Sequence, residues 1–388
     1  MIALALLAFS LATPLARTMP AVGAQIATAG GTSFEQLSQA AERARNENRE
    51  DDAIRLYRKA LSLRPEWQQG LWFLGVTLYE KEQYSAARDT FRRFMTLRPD
   101  TGPGWALLGL SEFQTREYPR ALDHLQHAMA SGLGNHNDLT QSVLYYMAVL
   151  LTRMERYDDS MDMLVKMISI DADPSLLVEP AGLAGLRLPL LPTEIPPDRK
   201  RLVDMAGQAI VAMSTQHYGE ADAKFKEMEA AYPNEPGVHF VYGAYLMQLH
   251  PEDGIREMKR ELEISPAHVL ARVRLAEQYL AQQQPDQALQ YAEQAAKLDP
   301  KRASAHMLLG EALVAKGELV AGTKELETSR DDDALSSRIH WDLMRAYLKA
   351  GRVEDAKREK EQIEKSSDHS PRSDATQDET SSAPAASK

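Results

Sequence analysis

The stretch "LWFLGVTLYEKEQYSAARDTFRRFMTLRP", Leu71 to Pro99, decides the fold. Its apolar residues recur at helical spacing in two runs, a polar break falls near Glu82, and the second run stops at Pro99. That pattern predicts two amphipathic helices joined by a tight turn. The stretch "LSQAAERARNENREDDAIRLYRKALSLRP", Leu37 to Pro65, matches it column for column at an offset of 34 residues.

Extending the register outward gives about nine repeats, with first columns near Phe34, Gln68, Gly102, Gln141, Leu202, Pro236, Val269, Ala303 and Ser337. The sixth is one residue short in its inner turn. Column 8 holds Ala41, Gly75, Gly109, Ala148, Ala209, Gly243, Ala276, Gly310 and Met344. Column 20 holds Ala53, Ala87, Ala121, Ser160, Ala221, Gly254, Ala288, Gly322 and Ala356. Only Met344 is large. Where two helix axes approach closely only a residue with little or no side chain fits, and residues such as Tyr57, Phe91, Leu125 and Phe225 fill the space beside it. Pro65, Pro99, Pro233, Pro266 and Pro300 stop the second helix. One helix pair cannot bury its own apolar face, so stability must come from stacking neighbours.

The 34-residue period and these small-residue columns, with Phe or Tyr in column 24 and Pro in column 32, resemble the tetratricopeptide repeat over roughly residues 34–365. The resemblance implies an all-α, right-handed superhelical solenoid. It also implies a concave groove lined by columns 2, 5, 9, 12 and 13 of the first helices. Carried onto this chain, the groove is expected to show Trp72, Val76, Tyr79, Leu110, Phe113, Tyr145, Val149 and Arg153 in the first block, and Phe240, Met247, Trp341 and Arg345 in the second. Members of the family that clamp a terminal carboxylate use Lys and Asn in columns 5 and 9. Those columns here hold mainly apolar, aromatic and acidic residues, so the clamp is absent and the implied ligand is a segment presenting apolar side chains.

One stretch interrupts the repeats after the fourth. Residues 172–200, "ADPSLLVEPAGLAGLRLPLLPTEIPPDRK", hold Pro174, Pro180, Pro189, Pro192, Pro196 and Pro197, yet are rich in Leu. They are expected to form an ordered, partly extended connection packed on the solenoid, with one short helix near Ala181 to Leu186. An internal plug of the groove is one placement open to it. The expected organisation is therefore a leader over 1–24, four repeats over 33–171, the connection over 172–200, five repeats over 201–365 with the last as a polar cap, and a disordered Ser/Asp/Ala/Thr-rich tail over 366–388.

The apolar run Ile2 to Ala16, with Val22 and Ala24 placed for cleavage before Gln25, reads as a signal peptide and places the body outside the cytoplasm, in the periplasm or secreted. An uncleaved anchor is the other reading, though the run is short for a membrane span of about 20 residues. The net charge of -11 argues against nucleic acid and anionic lipid as partners, both of which need a surplus of Lys and Arg. There is no cysteine, which excludes disulfides, thiolate nucleophiles and Cys-ligated metals.

No HExxH, GxSxG, P-loop or EF-hand sequence is present, and Gly182 and Gly185 lie in a Pro-rich stretch without a preceding strand. His124 and His127 lack a third metal ligand and are expected to face solvent. Asp331 to Asp333 are expected in a solvated loop. His239, His306 and His340 fall in column 4, as Trp105 does, and are expected to be packed and hydrogen-bonded. No metal, cofactor or small-molecule substrate is implied. The sequence thus points to a non-catalytic scaffold or adaptor that binds other proteins. The alternatives are an accessory subunit of an envelope enzyme or export complex, and a hydrolase with a carboxylate pair in the groove.

Overall fold

A computed structural model describes residues 33–330 and 336–368. The expected leader, the Asp331 to Asp333 run and the tail beyond Asp368 lie outside the described residues. The chain divides into two units, the first ending at Tyr232 and the second beginning at Pro233. The described residues are helical apart from turns and short connections, with no strand among them.

In the first unit the helices pair as α1 (Phe34–Asn46) with α2 (Glu50–Leu63), α3 (Gln68–Glu80) with α4 (Tyr84–Leu97), α5 (Gly102–Gln114) with α6 (Tyr118–Ser131), and α7 (Asn137–Arg153) with α8 (Tyr157–Ser169). A short helix α9 (Val178–Gly185) follows, then the pair α10 (Pro197–Ser214) and α11 (Tyr218–Ala231). In the second unit the pairs are α12 (Val238–Leu249) with α13 (Pro251–Ile264), α14 (Val269–Ala281) with α15 (Pro285–Leu298), α16 (Ala303–Ala315) with α17 (Leu319–Ser329), and α18 (Ser336–Lys349) with α19 (Val353–Asp368). Each pair packs on the next within its unit, so each unit is an all-α solenoid. Helix α19 runs to Asp368, three residues past the expected cap.

The small columns do what close packing demands. A Cβ on Gly75 would lie 2.7 Å from the Phe91 ring, one on Gly109 would lie 2.9 Å from Leu125, and one on Gly310 would lie 2.6 Å from Leu326. Column 8 is small because column 24 of the partner helix fills its space.

The inner turn has its own signature. Asn48, Glu82, Arg116, Glu155, Gln216 and Gln283 all adopt positive φ, and Gly317 and Gly351 hold the same column. This is the left-handed residue that reverses the chain between the two helices. The sixth repeat lacks it. There the one-residue deletion removes the left-handed position, and His250 leads directly into Pro251 at the first turn of α13.

Column 4 makes a recurring joint. Trp105 donates its indole N–H to Pro99 O at 2.8 Å, and Arg272 donates to Pro266 O at 2.6 Å. His239 and His306 set Nε2 against Pro233 O and Pro300 O at 2.9 and 3.0 Å. Their Nδ1 atoms meet Glu257 and Glu325, each at 2.7 Å, and His340 meets Glu359 at 2.6 Å. The column-4 histidines are hydrogen-bonded joints, as expected. His124 differs from expectation. It bonds the fully buried Glu112 at 2.6 Å and packs on Trp105, and only His127 is exposed.

Residues 172–200 are not a linker. Asp173 caps a single 3-10 turn over Pro174–Leu177 that leads into α9, close to the short helix expected there. Gly182 on α9 and Gly207 on α10 face each other's neighbours at backbone distance. A Cβ on Gly182 would lie 2.0 Å from Val203 O, and one on Gly207 would lie 1.8 Å from Val178 O. This reciprocal glycine contact ties the fifth repeat to the segment before it. The unit boundary consequently falls after Tyr232, one repeat later than the expected division at residue 200.

Candidate functional site

The expected groove residues separate into two groups. Trp72, Leu110, Val149 and Phe240 are buried, Trp72 at 2% exposure. Trp72 packs its ring 5.3 Å from Phe94 and 6.0 Å from Phe91, and Phe240 stacks on His268 at 4.6 Å. Trp72 is covered by Phe91 and Phe94 of α4, the second helix of its own repeat, and α5 also touches α3. Trp72 is thus a core residue, contrary to the expectation from its column. Val76, Tyr79, Phe113, Tyr145 and Met247 are half-buried, and Arg153, Trp341 and Arg345 are exposed. Trp341 reaches 51% exposure on α18, and no further repeat stacks on that helix among the described residues.

In the first unit Phe113, Tyr145 and Val149 line a cavity of about 1040 Å³, whereas Trp72, Val76, Tyr79, Leu110 and Arg153 do not. Helices α5 and α7 supply its aromatic wall, Phe113, Tyr145 and Tyr146, with Val149 one turn further along α7, and Tyr118 joins from the start of α6. The rings touch in series: Phe113 lies 4.6 Å from Tyr146 and 5.7 Å from Tyr118, and Tyr146 lies 5.3 Å from Tyr145. Burial pushes the Tyr145 phenol up to about 12 and raises that of Tyr146 as well. Both therefore stay neutral hydrogen-bonding groups at physiological pH.

The Pro/Leu segment supplies the opposite wall through Leu176, Val178, Leu191, Pro192 and Thr193. It borders the cavity and leaves it open. The Leu content of this stretch already implied that it packs on the solenoid, but periodicity is silent on a non-helical stretch and could not place it at this cavity. Charges on the rim pair with one another: Lys200 bonds Glu179 and lies 3.3 Å from Asp204. Arg116 lines the cavity without an ion-pair partner among the described residues.

The second unit brings together carboxylates that the sequence did not single out. Glu277 and Glu311 hold column 9 of successive repeats, and Arg338 reaches both, at 3.3 and 3.0 Å. Arg338 also lies 3.8 Å from Asp342, which pairs with Arg345. Burial and the neighbouring Asp342 carboxylate push Glu311 up to about 8, against the pull of Arg338. The arginines bind the Glu311–Asp342 pair on both sides. It ties adjacent first helices together.

These features define a helical repeat scaffold with an aromatic groove. Tetratricopeptide repeat family models match residues 39–102 and 279–340. Those stretches carry tetratricopeptide repeats, and the helix pairs elsewhere in each unit follow the same pattern, which supports a protein-interaction scaffold. No curated protein matches it. It is similar to the solved structure titled "MamA RS-1 ArsTM double mutant", at 20% identity and TM-score 0.41, over 44% of this chain and 98% of that one. A MamA structure from Desulfovibrio magneticus RS-1 matches at 22% identity and TM-score 0.38, over 44% and 94%. "Crystal structure of MamA protein" matches at 15% identity and TM-score 0.30, over 70% and 93%. No helix among the described residues is long and apolar enough to cross a membrane.

Proposed function

We propose that the chain is a non-catalytic adaptor that holds a segment of another protein in the aromatic cavity of its first unit, and that it works outside the cytoplasm. The cavity carries the reading. Four contiguous aromatic rings open to solvent within a rigid helical frame are the composition of a binding hot spot. The location rests on the leader-like residues 1–24 and on Val22 and Ala24 before Gln25.

A photo-crosslinking residue placed at Arg116, on the cavity rim, tests the first part. It should give a discrete protein adduct in cells, and the same residue at the outward-facing Arg58 should give none. Equal adducts at both positions would remove the cavity as the site. N-terminal sequencing of the mature chain should begin at Gln25, and a chain that begins at Met1 in the cytoplasm would remove the second part.

A further inference from the structure

The last helix pair of the second unit is held from one side. Helix α18 packs on α16 and α17, and Arg338 reaches past them to Glu277 on α14. No repeat stacks beyond α19 among the described residues. In a solenoid each repeat is stabilised by its neighbours, so an end pair with one neighbour is the part that opens most readily.

Two acids meet at the joint between α16 and α18. Asp342 is 5% exposed, and its Oδ1 accepts from Arg345. Its Oδ2 is buried and accepts from no N–H or hydroxyl among the described residues. Arg338 Nε stands 3.8 Å from that oxygen, beyond hydrogen-bond reach. The group that bonds Asp342 from α16 is the Glu311 carboxyl. Two carboxyl groups can hydrogen-bond only when one of them carries a proton. The other charges facing Glu311 do not replace that proton. Arg338 donates to Glu311 at 3.0 Å but also serves Glu277 at 3.3 Å, and Glu277 pairs with Arg274 at 3.1 Å.

Loss of the proton sets two carboxylates against each other across the joint, and separation of α18 from α16 relieves the repulsion. In the closed joint, burial and the Asp342 carboxyl hold Glu311 at about 8 against an ordinary 4.5. In the opened joint both causes are gone. Between those limits the closed form binds one proton more than the open form, so rising pH favours opening. Opening uncovers Met307 and Leu308 on α16 and Ile339, Leu343 and Tyr347 on α18, which share one apolar core.

We propose that the Glu311–Asp342 pair is a proton latch: with its proton it fastens α18 and α19 to the repeat before them, and without it that helix pair detaches from an otherwise intact unit. The same helix pair holds a second titratable joint, His340 with Glu359. Substitutions confined to the acid pair separate the two.

The chain has no cysteine, so one introduced thiol reports one place. Ala346→Cys puts a thiol on the buried face of α18, and Ala271→Cys puts one inside α14 as the reference. Labelling of the full chain is followed from pH 6 to 9, and each rate is divided by that of the unfolded chain at the same pH. Opening at Ala346→Cys should rise about tenfold per pH unit up to pH 8 and level off above it, while opening at Ala271→Cys stays flat. Adding Glu311→Gln or Asp342→Asn should abolish the rise, since each amide donates a hydrogen bond without a proton to lose. Hydrogen exchange of the α18 and α19 amides, in the chain without added thiols, should follow the same curve and guards against a thiol that itself loosens the helix. A flat profile in both measurements overturns the inference. An equal rise at Ala271→Cys does so too, because the unit would then open as a whole. A rise that survives both amide substitutions also overturns it, by placing the titrating proton elsewhere in the last repeat.

Discussion

Replacing Glu311 by Gln should change how the second unit's stability depends on pH. In the folded chain Glu311 is pushed up to about 8 from an ordinary 4.5, by burial first and by the Asp342 carboxylate beside it second. A carboxyl with a raised folded pKa holds a proton that the unfolded chain releases. Its contribution is complete below about pH 4.5 and is lost as pH rises, until the folded group also ionises near pH 8. Between those limits, one proton of difference costs about 1.4 kcal/mol of stability per pH unit. The amide of the Glu311→Gln variant has no such proton to lose and can still donate to Asp342. The stability difference, Gln variant minus wild type, should therefore grow by about 1.4 kcal/mol per unit from pH 5 to pH 8 and level off above it. Hydrogen exchange of the α16 and α18 amides, corrected for intrinsic exchange at each pH, isolates this unit from the first. A difference that stays flat from pH 5 to pH 8, or that shrinks, would refute the assignment of the proton to Glu311.

Other perturbations test the packing. Trp72→Ala should cost about 3–5 kcal/mol in urea unfolding of the first unit, since the indole is a core group, and a cost below 1 kcal/mol would return it to the surface. Gly207→Ala should lower the melting midpoint by the equivalent of about 1–3 kcal/mol or more, because its Cβ would meet the Val178 carbonyl, and an unchanged midpoint would show that α9 is free to shift. Gln283→Gly should stabilise the second unit by up to about 1 kcal/mol by relieving its left-handed backbone, an effect readable as a rise in urea midpoint and absent if the turn is already relaxed. Spectrophotometric titration of the folded chain should find the Tyr57 and Tyr145 phenols, both raised to about 12 by burial, ionising only with alkaline unfolding.

The sequence determined the repeat. A small residue recurring at about 34-residue intervals points to one local solution, two helices pressed together at that point. A one-residue deletion in the sixth repeat is equally legible, because an inner turn of fixed length has a fixed left-handed position to lose. Two of the column-4 histidines, His239 and His306, stand at the same short distance from the proline that ends the previous repeat, and each is joined to it. These are short-range relations, and the period carries them.

Exposure was not legible in this way. Trp72 and Trp341 hold the same column, yet one packs on Phe91 and Phe94 in the core and the other stands 51% exposed on α18, where no further repeat stacks among the described residues. The cavity needed both walls. The aromatic wall follows from the repeat, whereas the Leu191–Pro192 wall comes from a stretch with no period at all, held in place by Arg153, Tyr157 and the glycine contact between α9 and α10. The Glu277–Glu311–Arg338–Asp342 network likewise joins residues on three first helices, and its proton sits where burial and charge meet. Periodicity fixes which face of a helix turns inward. Only the packed structure decides what that face finally meets, because burial and electrostatics depend on neighbours far away in the chain.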